Sequence, residues 1–300
     1  MQLKQALASA IEKLTAEQTP SPRMNAELLL MFVLSCDRAY LFAHPERRLT
    51  TDEQSRYGAA LAERARGVPA QYITGHQEFW GMDLIVSPAV LIPRPETEHI
   101  IETVLELLGP DQAPSRKPKA ENREPNSEVR SPRSEVRLAD IGTGSGCIAL
   151  ALAMELPEAE IHATDISPAA LEIARANAAR HQLETRIQFH QGDLLADLTG
   201  SFDLIVSNPP YVGDSEEDQV QLEVRKFEPR SAVFAGPIGT EVIARLIPQA
   251  HNILRSGGWL VFEISGTIVD RVLPLLEGWD DVRVIPDLQS IPRVVRARKP

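Results

Sequence analysis

The sequence predicts an α/β protein: a doubly wound, seven-stranded sheet of mainly parallel strands, preceded by a small all-helical domain that a β-hairpin joins to it. Three features carry that reading. From Leu138 onward, short β-branched runs alternate with helical runs, the pattern that builds a parallel sheet with helices on both faces. Residues 1–71 instead keep a helical period throughout. Between the two regions lies a stretch of aromatic and β-branched residues centred on Gly81.

In the helical region, Leu3, Leu7, Ile11 and Leu14 recur on one face, and NAELLLMFVL from Asn25 supplies a more deeply buried helix. Pro20, Pro22 and Pro45 punctuate the run, and Asp52 to Arg66 reads as its last long helix. Residues 72–95 contain GHQEFWGMDLIVSPAVLIPRP, two strand-like runs around a turn at Gly81, each ended by proline. Residues 96–300 make the second domain, which opens with a helix from about Glu96 to Leu108. Residues 109–137 then lose almost all large apolar side chains and repeat SEVR at Ser127 and Ser134, so they cannot bury enough surface to offset their ordering entropy. A mobile insertion is expected there. Strands follow in RLADI, EIHATDI, RIQFHQ, FDLIVSN and GGWLVFEIS, with helices in CIALALAMEL, PAALEIARANAARHQ, from about Gly239 to Leu254, and near Ile268 to Leu276. Two closing strands around Val282 and Val294, separated by DLQS, predict an antiparallel hairpin at one edge of the sheet.

Composition narrows the function classes. Three hundred residues suffice for about two domains, and 43% hydrophobic residues exclude a wholly disordered or fibrous chain. Against 31 Lys and Arg stand 42 Asp and Glu, a net charge of −11 that repels nucleic-acid backbones and acidic membranes, so no duplex DNA binding is expected. The two cysteines, Cys36 and Cys147, lie far apart, which gives neither a disulfide framework nor a metal-ligand spacing; no metal is expected, and the reducing cytoplasm is the default compartment. No run of about 18 apolar residues suggests a membrane span.

Sheets of this kind bind ligands at the carboxyl ends of their strands. DIGTGSG puts Asp140, Gly142, Thr143, Gly144, Ser145 and Gly146 between the first strand and its helix. Glycine allows close approach of backbone to a ligand, and the helix start offers free N–H groups to an anionic group such as a carboxylate. The same text fits a bare tight turn or a dinucleotide site, although Asp140 would set a carboxylate where a pyrophosphate needs donors. Asp165 ends the second strand, where an acid can accept from both hydroxyls of a ribose; in DISPAALEIA it reads equally as a cap for the next helix. Asp193 follows the third strand and can accept from the exocyclic amine of adenine with Leu194 against the ring, or serve as a plain loop carboxylate. The fourth strand delivers Asn208, Pro209, Pro210 and Tyr211. Neither proline has an N–H, so this turn offers acceptors only, in a backbone stiffened by fixed φ. Two converging carbonyls and an aromatic face suit a planar NH₂ group.

DIGTGSG, Asp165 and NPPY, in this order and spacing, resemble the class I S-adenosylmethionine-dependent methyltransferases that act on planar nitrogen. More narrowly, GHQEFWGMDLIVSPAVLIPRPETE, FDLIVSNPPYV, FEPRSAVFAG and the ending RVVRAR resemble the release factor glutamine methyltransferases of the HemK/PrmC type over nearly the whole chain. The resemblance implies a Rossmann-like methyltransferase sheet, an N-terminal domain that recognises the substrate, and methylation of the amide nitrogen of the glutamine in the Gly-Gly-Gln motif of class I peptide chain release factors. It assigns S-adenosyl-L-methionine to Gly142 through Gly146, Asp165 and Asp193–Leu194, and glutamine to Asn208 through Tyr211. Phe79 and the segment from Pro93 to Glu98 would line the site from the hairpin side.

The chemistry expected is in-line methyl transfer without an obligatory strong base, because alignment on an already electrophilic sulfonium can supply several kcal/mol. No histidine offers itself as base: His162 and His190 lie in strand patterns, where structural roles are expected, and His76 sits in the hairpin. Two other enzyme readings stay open, a glutamine methyltransferase acting on a ribosomal protein and an adenine or guanine amino methyltransferase, whose substrates also present a planar NH₂. A module that merely binds, without catalysis, would leave NPPY idle.

Overall fold

The structure, a computed structural model, describes residues 1–109 and 136–300. The insertion expected at 109–137 therefore lies, apart from its end residues, outside the described residues.

Helices α1 (Leu3–Ala16), α2 (Pro22–Leu34), α3 (Arg38–Ala43) and α4 (Thr51–Ala65) pack around Leu14, Leu29, Leu30 and Tyr57. Capping sets the starts of α3 and α4. Asp37 accepts the Tyr40 N–H at 2.7 Å, and Thr50 and Glu53 exchange side-chain and backbone bonds across the first turn of α4. On α1 the buried face is Leu3, Ala6, Ala10 and Leu14, while Leu7 and Ile11 sit at its margin. The expected stripe is thus rotated by about one residue, because the small alanines let α2 approach closely. A further helix, α5 (Ala70–Thr74), occupies the start of the stretch read as hairpin and ends at Gly75, whose φ is +78°.

Strands β1 (His76–Phe79) and β2 (Met82–Ile85) form the hairpin. Trp80 and Gly81 both have positive φ, +52° and +74°, the geometry of a two-residue turn that matches strand twist. Trp80 is held there by Glu98, which accepts its backbone N–H, and by Glu155, which accepts its indole N–H at 2.8 Å.

After α6 (Glu98–Leu108) come β3 (Arg137–Ile141), α7 (Cys147–Glu155), β4 (Glu160–Asp165), α8 (Pro168–Arg180), β5 (Ile187–Gln191) and β6 (Phe202–Ser207). A short excursion of β7 (Val212–Gly213), α9 (Leu222–Phe227), α10 (Arg230–Val233) and β8 (Phe234–Gly236) precedes α11 (Glu241–Ile253) and β9 (Leu254–Glu263). The chain closes with α12 (Val269–Val272), β10 (Asp280–Pro286) and β11 (Pro292–Arg298). The seven-stranded order is β10-β11-β9-β6-β3-β4-β5, with the antiparallel pair β10–β11 at one edge. The helix expected from Ile268 to Leu276 is broken into turns around α12, since Pro274 lacks an N–H and its ring opposes helix continuation.

Alternation along the strands builds two cores. Leu138, Ile161, Leu204 and Val206 face α6, α7 and the hairpin, whereas Ala139, Ile141, Ile205 and Phe262 face α11. Helix α7 is buried from Cys147 to Ala153, as its uniformly apolar text requires. No described helix is long and apolar enough to cross a membrane.

Candidate active site

Parallel register brings the chemistry-bearing turns to one edge. Ile141 lies opposite both Thr164 and Ser207, so Gly142, Asp165 and Asn208 leave neighbouring strands at nearly the same level. They border a cavity of about 330 Å³.

The glycine turn forms its floor. Gly142 and Thr143 donate their N–H groups to the Thr164 carbonyl at 2.9 and 2.8 Å, bending the chain back over β4. Gly142, Gly144 and Gly146 have φ of +72°, +55° and +85°, which L side chains rarely adopt. At Gly142 and Gly144 a Cβ would meet nothing within 4 Å, whereas at Gly146 it would press on Leu150 and Ala174 at 3.2 and 3.3 Å. The first two leave backbone open to a ligand; the third lets α7 and α8 close together. Thr143 and Ser145 also line the cavity, and the buried Ser145 hydroxyl has no hydrogen-bond partner.

Asp140 stands apart from the cavity wall, fully buried beneath the turn. Its carboxylate accepts the Thr143 hydroxyl at 2.6 Å and the Ala149 N–H at 3.2 Å. The strand pleat points this side chain under the loop, off the cavity wall, where it shapes the turn. Burial pushes its carboxyl up to about 7, against the lowering effect of those two bonds. Asp165 does face the cavity, and it also caps. One oxygen accepts the Gly144 N–H and the other the Ser167 N–H, each at 2.9 Å, leaving a second lone pair on each. Desolvation raises its pKa. Asp193 and Leu194 reach the far wall, where Arg245 of α11 pairs with Asp193. Leu194, at φ +58°, is pinned by the Thr164 hydroxyl on its carbonyl at 3.0 Å.

At the other end stand Asn208 and Pro210, with Pro93 and Thr97 opposite. Pro209 is buried, and the Tyr211 hydroxyl is turned inward onto Glu263 at 3.0 Å. Burial and the Glu263 carboxylate raise the Tyr211 pKa well above its usual range. The Asn208 amide donates to the Thr97 hydroxyl at 3.1 Å, and Thr97 donates to Glu263 at 2.7 Å.

Phe79 does not reach this cavity. It is 1% exposed, opposite Met82, on the hairpin face that packs into the core with Ile100 and Ile101. The hairpin-side wall is built instead by Ala89, Val90 and Leu91, held by the Tyr72 hydroxyl on the Val90 carbonyl at 2.6 Å. His162 bonds to Glu160 and stacks on His190, and His76 bonds to Asp83; none of the three lines the cavity. Pro93 and Thr97, from the segment Pro93 to Glu98 that the resemblance set on the hairpin side, do line the cavity, although Thr97 was given no role of its own. The sequence reading passed over Glu263 and Arg245 and gave Glu228 no role; the signal for Glu263 was a lone carboxylate ending the apolar strand text WLVFE.

The residues present fit a cofactor of amino-acid and nucleoside character. An orphaned hydroxyl at Ser145 and bare backbone at Gly142 and Gly144 suit a zwitterionic end, Asp165 keeps acceptors for a diol, and apolar Leu194 and Ile166 suit a base.

A sequence profile described as the PrmC N-terminal domain matches residues 5–75, and one described as a methyltransferase small domain matches residues 128–226. The chain is 55% identical to the release factor glutamine methyltransferase of Koribacter versatilis, with 100% of this chain and 99% of that protein covered. It is 40% identical to the protein of the same name from Moorella thermoacetica, over 96% and 95% of the two chains. Among solved structures, the hMettl16 catalytic domain in complex with the MAT2A 3′UTR hairpin 1 superposes with a TM-score of 0.54 at 17% identity, covering 83% of each chain, a likeness of fold.

Proposed function

The chain belongs to the release factor glutamine methyltransferases, and from that premise we propose that it methylates the side-chain amide nitrogen (N5) of the glutamine in the Gly-Gly-Gln motif of class I peptide chain release factors, using S-adenosyl-L-methionine. The observation that carries the reading is the orientation of Asn208. One N–H of its amide goes to Thr97 while the residue lines the cavity, and its carbonyl oxygen is left to accept from a ligand there.

The cofactor supplies a methyl group made electrophilic by its sulfonium. Gly142, Gly144 and Ser145 would hold its amino-acid end, Asp165 its ribose and Leu194 its base. Asp193 would meet the base edge with its charge already balanced by Arg245. Asn208 Oδ1 and the Pro209 carbonyl would accept the two N–H groups of glutamine. These two acceptors would hold the nitrogen in line and raise its electron density for methyl transfer. One amide proton then leaves to solvent. The histidines lie off the cavity, consistent with transfer that needs no strong base. Residues 1–71 are assigned to recognition of the release factor body, residues 72–95 to the linker and 96–300 to catalysis, in the cytoplasm.

The test is a labelled-methyl assay against intact release factor, ribosomal protein and nucleic acid, with the product peptide read by mass spectrometry. Methyl on the Gly-Gly-Gln glutamine, lost when that residue is changed to glutamate, is the expected result. Methyl on a ribosomal protein or on a base, with none on the release factor, would overturn the assignment.

A further inference from the structure

Buried Thr97 and Glu263 form, with half-buried Asn208 and Tyr211, a chain of hydrogen bonds whose direction follows from hydrogen count when Glu263 is ionised. The ionised carboxylate then has acceptors only, and a threonine hydroxyl has one hydrogen. Glu263 Oε2 takes that hydrogen at 2.7 Å. The Thr97 oxygen can therefore only accept from its other neighbour, and it does so from Asn208 Nδ2 at 3.1 Å. The second Glu263 oxygen accepts from Tyr211 at 3.0 Å. Thr97 and Glu263 are each 1% exposed, so water does not compete for these groups.

Topology explains why one carboxylate can reach both ends of the turn. Ser207 at the end of β6 lies opposite Phe262 on β9, so Asn208 and Glu263 emerge side by side, and Thr97 enters from the start of α6. We propose that Thr97 and Glu263 are positioning residues that set the polarity of the Asn208 amide, so that its oxygen rather than its NH₂ faces the substrate. The proposal rests on the reading of Asn208 as acceptor for the glutamine amide. An amide turned by 180° would place N–H against N–H and lose the alignment on which transfer depends. The two hydroxyl donors, together with the nearby positive charge of Arg293, oppose the desolvation that raises the Glu263 pKa.

Three variants test this: Thr97→Val, which keeps shape but removes donor and acceptor, Thr97→Ser, which restores both, and Glu263→Gln, which adds a donor at the root of the chain. With intact release factor, Thr97→Val and Glu263→Gln should lower kcat about 10- to 100-fold, with KM for release factor and the cofactor Kd within about threefold of wild type. Thr97→Ser should recover most of the lost turnover. Wild-type kcat in Thr97→Val, or equal impairment of the Ser and Val variants, would overturn the proposal. So would losses spread evenly over kcat, KM, Kd and melting temperature, the pattern of a merely structural role. Should Thr97→Val fail to fold, Glu263→Gln decides by the same split. Wild-type enzyme that places no methyl on glutamine would instead sink the earlier assignment.

Discussion

Single side chains at this site have two jobs, and that shapes what their removal should do. Asp165 was legible as a ribose acceptor or as a cap, and the structure gives its carboxylate two backbone partners, Gly144 and Ser167, as well as a place on the cavity wall. Asp165→Ala should therefore weaken cofactor binding and also cost about 1–3 kcal/mol of stability from two lost charge-assisted bonds. Calorimetric titration and urea unfolding would check both; unchanged affinity would remove Asp165 from the cofactor site. Asp140 makes a pH prediction. Its carboxyl is raised from the ordinary 3.8 to about 7 by burial. In the folded protein it holds a proton that the unfolded chain releases, so its stabilising contribution is complete below about pH 4 and is lost as pH rises through about 7. Asp140→Asn, which mimics the protonated form, should gain in unfolding free energy relative to wild type between pH 4 and pH 8. A constant difference across that range would contradict the assigned shift.

Between elements, the hairpin is tied to the sheet by one buried residue of α8. Asn177 accepts the Ile85 N–H at 2.6 Å and donates to the carbonyls of Ile85 at 3.0 Å and Ser145 at 2.9 Å. It thereby couples β2 to the glycine turn. Asn177→Ala would strand the buried Ser145 carbonyl and the half-buried N–H and carbonyl of Ile85, and a loss of about 3 kcal/mol is expected, visible in thermal melts together with weaker cofactor binding. A loss in stability without any in affinity would uncouple the hairpin from the turn. The elements themselves were largely readable, because patterns of period 2 and 3.6 are local. Pro274 marks where such reading stops. One proline outweighed the helical run around it. Helix α5 was missed for the converse reason: its five residues lie too close to the aromatic hairpin text to show a period of their own.

Across the whole molecule, the segment after NPPY is fastened to both other regions by carboxylates. Arg64, 3% exposed on α4, bonds to Asn25 at 2.7 Å and to Glu223 on α9 at 2.5 Å. Arg94, after the hairpin, pairs with buried Glu228, which also accepts the Ile92 N–H at 3.1 Å. Arg64→Ala should cost about 3–5 kcal/mol, because Glu223 and Asn25 lose their cation together. Chemical unfolding would show it, and a change below about 1 kcal/mol would mean that Glu223 finds water instead.

The features legible before folding were those whose cause is local. Strand and helix alternation, the hairpin turn at Gly81, the glycine turn and the acceptor-only NPPY backbone each depend on residues within a few positions of one another, and parallel topology then carries strand ends to one edge. Which side chains face the cavity depends on packing between distant segments. The pleat sends Asp140 under its turn and Phe79 into the core, while Thr97, Glu263 and Arg245 arrive from 111, 55 and 37 positions away from Asn208. Their roles come from burial and from the count of donors and acceptors around one carboxylate, and those exist only once distant segments have packed together.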